Sequence, residues 1–220
     1  MKRDNRKNQD YFKTYLQYQS SRINKKIKKL SGIDDDKKQR ILMSLTGYEV
    51  DLLKAEFSAG LTKEPLRLLL CKAIAIIKGY KKITYEDLLV LLSLCVILDN
   101  KKDALDLINE NKQTIETDRL LKYIASYARK DKSIWEKKLP LSKEYSLLDE
   151  VFESKINRED AMLLYLNNWY ENHAEHAWYD SHLRDTDTYC GYWSFEAAAI
   201  AKILRLNEDK LKNSVYYPVL

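Results

Sequence analysis

The sequence predicts an all-α protein, a multi-helix, bundle-like chain of about nine or ten helices in two packed lobes. Three observations carry that expectation. The 220 residues include only five glycines and three prolines, too few turn-formers for a β-rich fold. Apolar side chains recur near the helical period over most of the chain. Charged residues, 32% of the total, fill the positions between them with alternating sign, as on solvated helix faces. The length suffices for one good-sized core or two small lobes, which argues against a multi-domain enzyme.

The first helix is expected from about Tyr11 to Leu30, where Phe12, Tyr15, Leu16, Ile23, Ile27 and Leu30 form the apolar line and Gly32 ends it. Asp34, Asp35 and Asp36 place negative charge at the start of a second helix, favourable against its dipole, and Ile41 to Phe57 continue an apolar face up to Gly60. Pro65 fits a first helical turn, and the run Leu66 to Ile77 reads as an interior helix. Thr84 and Asp87 have capping-box spacing ahead of Leu88 to Leu98. That run spans eleven residues, apolar but for Ser93, about half of a bilayer crossing, so it reads as a buried helix and no membrane partner is expected.

Shorter amphipathic helices are expected at about Lys102 to Glu110 and Thr117 to Arg129. The charged stretch Lys130 to Lys143, with Trp135 and Pro140, loses the period and suggests a boundary between an N-terminal domain, 1–135, and a C-terminal domain, 136–220. Beyond it Asn157 and Asp160 stand at capping positions for a helix reaching about Tyr179. A loop from Ser181 to Gly191 precedes a last helix, Phe195 to Leu206, whose alanines 197, 198, 199 and 201 permit close helix approach.

Cys71, Cys95 and Cys190 are odd in number and lack C-x-x-C spacing, which fits small buried hydrophobes in a reducing compartment. The polar, basic start, Met1 to Gln9, lacks the anatomy of a secretory signal, so a cytoplasmic location is expected. Residues 1–40 carry a net charge of +8, residues 41–140 of +3 and residues 141–220 of −6. The basic end raises one functional reading, a nucleic-acid binding module built on Arg22, Lys25, Lys26, Lys28 and Lys29 with Tyr15 and Tyr18. No glycine-rich loop or stacking platform accompanies it, so a solvated helix face is favoured and no direct nucleic-acid partner is expected.

A second reading is a metal-dependent hydrolase. On a helix His173, His176 and Asp180 would lie at i, i+3 and i+7 on one stripe able to face a divalent ion. The H-E-x-x-H arrangement is absent, however, and no second helix offers acidic ligands. His173 equally continues the apolar line of Leu163, Leu166 and Tyr170, where it can pack. Neither a metal nor a cofactor is therefore expected. Cys190 with His182 lacks an ordered third member and an oxyanion-hole loop, so no catalytic residue is assigned.

Read in order, Trp178-Tyr179-Asp180-Ser181-His182, Tyr189, Gly191-Tyr192-Trp193-Ser194-Phe195-Glu196-Ala197-Ala198-Ala199 and Tyr216-Tyr217-Pro218 resemble the C-terminal domain of PoNi-type immunity proteins. The resemblance covers about residues 160–220; over the N-terminal part it is a helical domain of fitting length with a Tyr11-Phe12 opening. One departure is that Val219-Leu220 stand where the family has an aromatic residue and an aspartate. The resemblance implies a non-enzymatic immunity protein that binds and neutralises a cognate nuclease toxin, a DNase in the family, and so protects the producing cell during interbacterial competition. Within that frame Trp178, Trp193, Phe195 and the alanines are expected to pack, and Glu196 to complement a helix dipole. The expected toxin contacts are the polar cluster Glu171, Glu175, Asp180, His182, Arg184, Asp185, Asp187 and Tyr189.

Overall fold

The computed structural model describes residues 2–80, 82–129, 139, 141–154 and 156–220. Among these residues it contains ten α-helices and three 3-10 turns and no strand, so the chain is all-α as expected. The domain boundary expected at 135/136, with Trp135 and Pro140 beside it, falls outside the described residues. The chain forms two compact units, one of Met1–Leu91 and Asp180–Gly191, the other of Leu92–Tyr179 and Tyr192–Leu220.

The first unit is built on α1 (Gln9–Ile27), α2 (Asp35–Ala59), α3 (Lys63–Ile77) and the start of α4 (Tyr85–Ile97). The Asn8 side chain caps α1 by accepting from the Tyr11 amide at 2.8 Å, and Phe12, Tyr15, Gln19 and Ile23 form the buried stripe at helical spacing. Gln19 is a polar member of that stripe, satisfied because its Nε2 donates to the Tyr48 carbonyl of α2 at 2.8 Å. Helix α1 stops three residues before the expected Leu30, since Lys29 and Leu30 donate to Lys26 and Ile27 in tighter turns ahead of Gly32. Asp34 caps α2 through the Lys37 amide at 2.9 Å, and Gly60, at φ 102°, ends it in a left-handed cap that few other residues adopt.

Helix α3 corrects the expectation of a wholly interior helix. Leu66, Leu70, Ala73, Ile74 and Ile77 are buried, but Leu68 is more than half exposed and Ala75 also faces out, so α3 packs by one side. Helix α4 does begin as expected, with Thr84 Oγ1 accepting from the Asp87 amide at 3.2 Å, and every residue from Leu91 to Leu98 is buried.

The second unit contains α5 (Lys101–Glu110), α6 (Lys112–Thr117), α7 (Arg119–Arg129), a 3-10 turn (Lys143–Tyr145), α8 (Leu148–Glu153), α9 (Arg158–Asn172), α10 (Phe195–Leu204) and a last 3-10 turn (Leu211–Asn213). Asp118 is extended and accepts from the Leu121 amide at 2.8 Å, which separates α6 from α7 where one helix from Thr117 was expected. Helix α7 packs against α5, α6 and α10, and Arg119 at its start reaches across to Asp149 and Glu153 of α8. Lys202 of α10 donates to the Ile97 carbonyl at 3.0 Å and to Asp99 at 2.6 Å, satisfying the C-terminal end of α4.

Two expectations about α9 are corrected. Asn157 does not cap through its side chain; it takes a left-handed conformation at φ 63°, and the acidic first turn is spent elsewhere, Glu159 accepting from the Asn207 amide at 3.0 Å and Asp160 pairing with Lys210 at 2.8 Å. The helix also ends at Asn172, not near Tyr179. Nothing in His173 to Trp178 breaks a helix by propensity. The cause is tertiary: the chain turns back so that Trp178 stacks on Trp169 with ring centroids 5.4 Å apart and planes 18° apart.

Candidate functional site

The loop 180–191 belongs to the first unit, and its two ends are buried while its middle is not. Ser181 is buried at the entry, and Tyr189, Cys190 and Gly191 at the exit; residues 183–188 are all exposed. The exit is clamped by the N-terminal segment. The Tyr11 hydroxyl donates to the Tyr189 carbonyl at 2.9 Å and accepts from the Tyr189 amide at 3.0 Å. The Tyr189 hydroxyl donates to the buried Asp4 carboxylate at 2.5 Å, and Asp4 also accepts from the Arg6 amide at 2.8 Å. Ser58 Oγ lies 2.8 Å from the Cys190 carbonyl, and the Arg3 amide donates to the Ser58 carbonyl at 2.9 Å.

These bonds set the ionisation of the loop base. Burial, then the Asp4 charge, holds the Tyr189 phenol well above its ordinary range. Burial and the neighbouring Asp51 likewise push up the Cys190 thiol, whose Sγ lies 3.7 Å from Asp51 Oδ1, so this cysteine is a protonated packing group. His182, half-buried with its ring centroid 6.0 Å from that of Tyr189, is driven toward the neutral form by burial and by the Arg6 and Lys7 charges.

Of the eight candidate contact residues, the structure brings Asp180, His182, Arg184, Asp185, Asp187 and Tyr189 together on this loop. Arg184, Asp185 and Asp187 are exposed, Asp180 and His182 are half-buried, and Tyr189 is fully buried as the loop's anchor. Glu171 and Glu175 are exposed too, but they belong to the second unit, Glu171 in the last turn of α9 and Glu175 in the turns beyond it. There Glu171 accepts from the Tyr179 hydroxyl at 3.0 Å.

The aromatic motif builds the interior of the second unit. Trp193 and Phe195 are buried, as are the alanines from 197 to 201, in agreement with their expected packing role. Tyr170 lies between Tyr179 and Tyr216, with centroids at 4.4 and 5.6 Å. Glu196 does more than complement a dipole. It is 4% exposed, and its Oε1 accepts from Ser194 Oγ at 2.6 Å, Tyr165 OH at 2.6 Å and Trp169 Nε1 at 2.7 Å. This hub was missed in the sequence, although one carboxylate inside the apolar run Trp193 to Leu204 is the signal that could have shown it, since a buried charge needs donors.

The helical stripe of His173, His176 and Asp180 does not exist, because α9 has ended before it. His173 is buried, its Nδ1 is 2.6 Å from the Trp169 carbonyl and its ring packs on Trp169 and Tyr145; Asp180 lies in the other unit. Among the described residues no three His, Cys, Asp or Glu side chains cluster as a metal centre requires. On α1, Arg22 stacks on Tyr48 with its guanidinium carbon 3.7 Å from the ring centroid, and Lys26 reaches Ser44, while Lys25 and, just past the helix, Lys28 and Lys29 are exposed. No helix among the described residues is long and apolar enough to cross a membrane.

No curated protein matches the chain. Among solved structures it is similar to the crystal structure of protein PA2201 from Pseudomonas aeruginosa, with a TM-score of 0.72 and 17% identity, over 94% of this chain and 84% of that one. That likeness places the fold alone. The profile of the family described as PoNe immunity proteins (PoNi), C-terminal, matches residues 116–219. This span contains the Glu196 hub, the aromatic motif and the clamped loop, and over it the chain matches the PoNi C-terminal family.

Proposed function

We propose that this protein acts in the cytoplasm of a toxin-producing cell as a stoichiometric inhibitor, binding a PoNe-type nuclease, a DNase, and occluding its active site or substrate path without performing chemistry. The family match over residues 116–219 carries the reading. The exposed carboxylates of the loop support it. A nuclease offers DNA a cationic cleft, and an inhibitor that covers or borders the cleft gains from acidic groups held outward on a fixed support, as Asp185 and Asp187 are. Glu171 and Glu175 are further candidate contacts on the second unit, and Arg184 and His182 supply donors within the loop.

The test is association kinetics with a PoNe-type nuclease. Reversing Asp185 and Asp187 to lysine is expected to slow association about three- to tenfold at low salt, with little change in dissociation, and the difference should shrink as salt screens it. Equal association rates for the reversed and parent proteins would place the contact elsewhere.

A further inference from the structure

The loop that presents Asp185 and Asp187 also presents an apolar side chain. Leu183, at the end of the 3-10 turn Ser181–Leu183, is 72% exposed, on a stretch of six consecutive exposed residues. An exposed leucine on a helix is ordinary, as Leu68 is on the outer side of α3, because the helix forms for other reasons. The crown 183–188 belongs to no α-helix. Bonds within it include the Leu183 amide to the Asp180 carbonyl, Arg184 to Ser181, Thr188 to Thr186, and the paired Thr186 and Thr188 hydroxyls at 2.9 Å. The clamp ties down its exit, where Tyr11 and Asp4 together engage the carbonyl, the amide and the hydroxyl of Tyr189. Ordering a solvated loop costs conformational entropy, and a buried carboxylate costs desolvation. Both costs fall on a loop whose exposed apolar member, Leu183, stands in sequence between Asp180 and the exposed Asp185 and Asp187.

We propose that Leu183 is the apolar anchor of the contact with the nuclease, and that Asp4 and Tyr11 are positioning residues that hold the crown in its binding shape without touching the partner. The inference rests on the toxin-binding reading above. The partner surface that fits is an apolar notch bordered by cationic side chains, as a nucleic-acid cleft offers where it recognises bases beside phosphates. The preformed crown loses little entropy on binding, so the clamp contributes to affinity at a distance.

Two measurements separate the parts. On the free protein, hydrogen exchange of the amides of residues 182–188 is compared among the parent, Tyr11→Phe and Tyr189→Phe; on the complex, binding kinetics with a PoNe-type nuclease are compared among these and Leu183→Ala. Tyr11→Phe and Tyr189→Phe should speed exchange of the crown amides about tenfold or more and weaken nuclease binding, with α2 and α4 amides unaffected. Leu183→Ala should leave exchange and the melting temperature unchanged and weaken binding about tenfold or more through faster dissociation. Unchanged crown exchange in both phenylalanine variants overturns the positioning role, and parental affinity for Leu183→Ala overturns the anchor. If the parent protein itself fails to bind the nuclease, the toxin-binding reading falls, while the exchange data still decide whether the clamp orders the loop.

Discussion

Single side chains carry most of the unusual energetics. Glu49 on α2 is 2% exposed, and among the described residues its Oε1 has no hydrogen-bond partner. Burial raises its carboxyl from an ordinary value of 4.5 to about 7. Between those values the folded chain keeps a proton that the unfolded chain has released, so stability falls as pH rises through the window and stays lower above it. Glu49→Gln removes this linkage. Chemical denaturation should find the variant more stable than the parent by about 1–3 kcal/mol above pH 7, with the advantage fading toward pH 4.5. Glu196 differs in having three donors on its Oε1. Glu196→Ala strands the Tyr165, Trp169 and Ser194 donors in the interior and should cost about 3–5 kcal/mol, whereas Glu196→Gln keeps an acceptor and should cost less. Equal losses for the two variants would contradict the hub. The role of Glu49 was not legible from the sequence, whereas Glu196 stands as a lone carboxylate in an apolar run; what separates the two is the donors the fold brings to them.

Most helices were legible where local chemistry and packing agree. Thr84 caps α4 as its position suggests, the acidic start expected for α2 supplies its cap in Asp34, and Gly60 closes α2 as a glycine just past an apolar line should, whereas the Asn8 cap of α1 was not foreseen. The failures have two causes, one tertiary and one local. His173 to Trp178 contains nothing unfavourable to a helix, yet the stacking of Trp178 on Trp169 bends the chain away, and with the bend the histidine stripe disappears. Asp118 splits the region of α6 and α7 because it caps, which its neighbours do not announce. Close packing of elements gives its own test. Ala199 of α10 is fully buried, and α10 packs on α7. Ala199→Leu should therefore lower stability by about 1–3 kcal/mol in denaturant titration through overpacking, while Ala75→Leu on the outer side of α3 should change it by less than about 0.5 kcal/mol.

At the scale of the whole molecule, charge is grouped by the fold and not by the order of the chain. The acidic C-terminal stretch of the sequence does not stay together: residues 180–191 fold into the unit that holds the basic N-terminus, and Arg6 and Lys7 act on His182 there. Steering by Asp185 and Asp187 is consequently a local effect on a cationic unit, which is why a modest change in association rate is expected from reversing them. The resemblance to PoNi-type proteins was legible because its aromatic motifs build the interior of the second unit and so survive as a pattern. The proposed contact surface was less legible, since exposed positions such as Leu183 are marked by no packing rule. The most direct test of the account is a titration of the purified protein into a DNA-cleavage assay of a PoNe-type nuclease. The account predicts that cleavage falls linearly to zero at one inhibitor per nuclease, and undiminished cleavage at a large molar excess would contradict it.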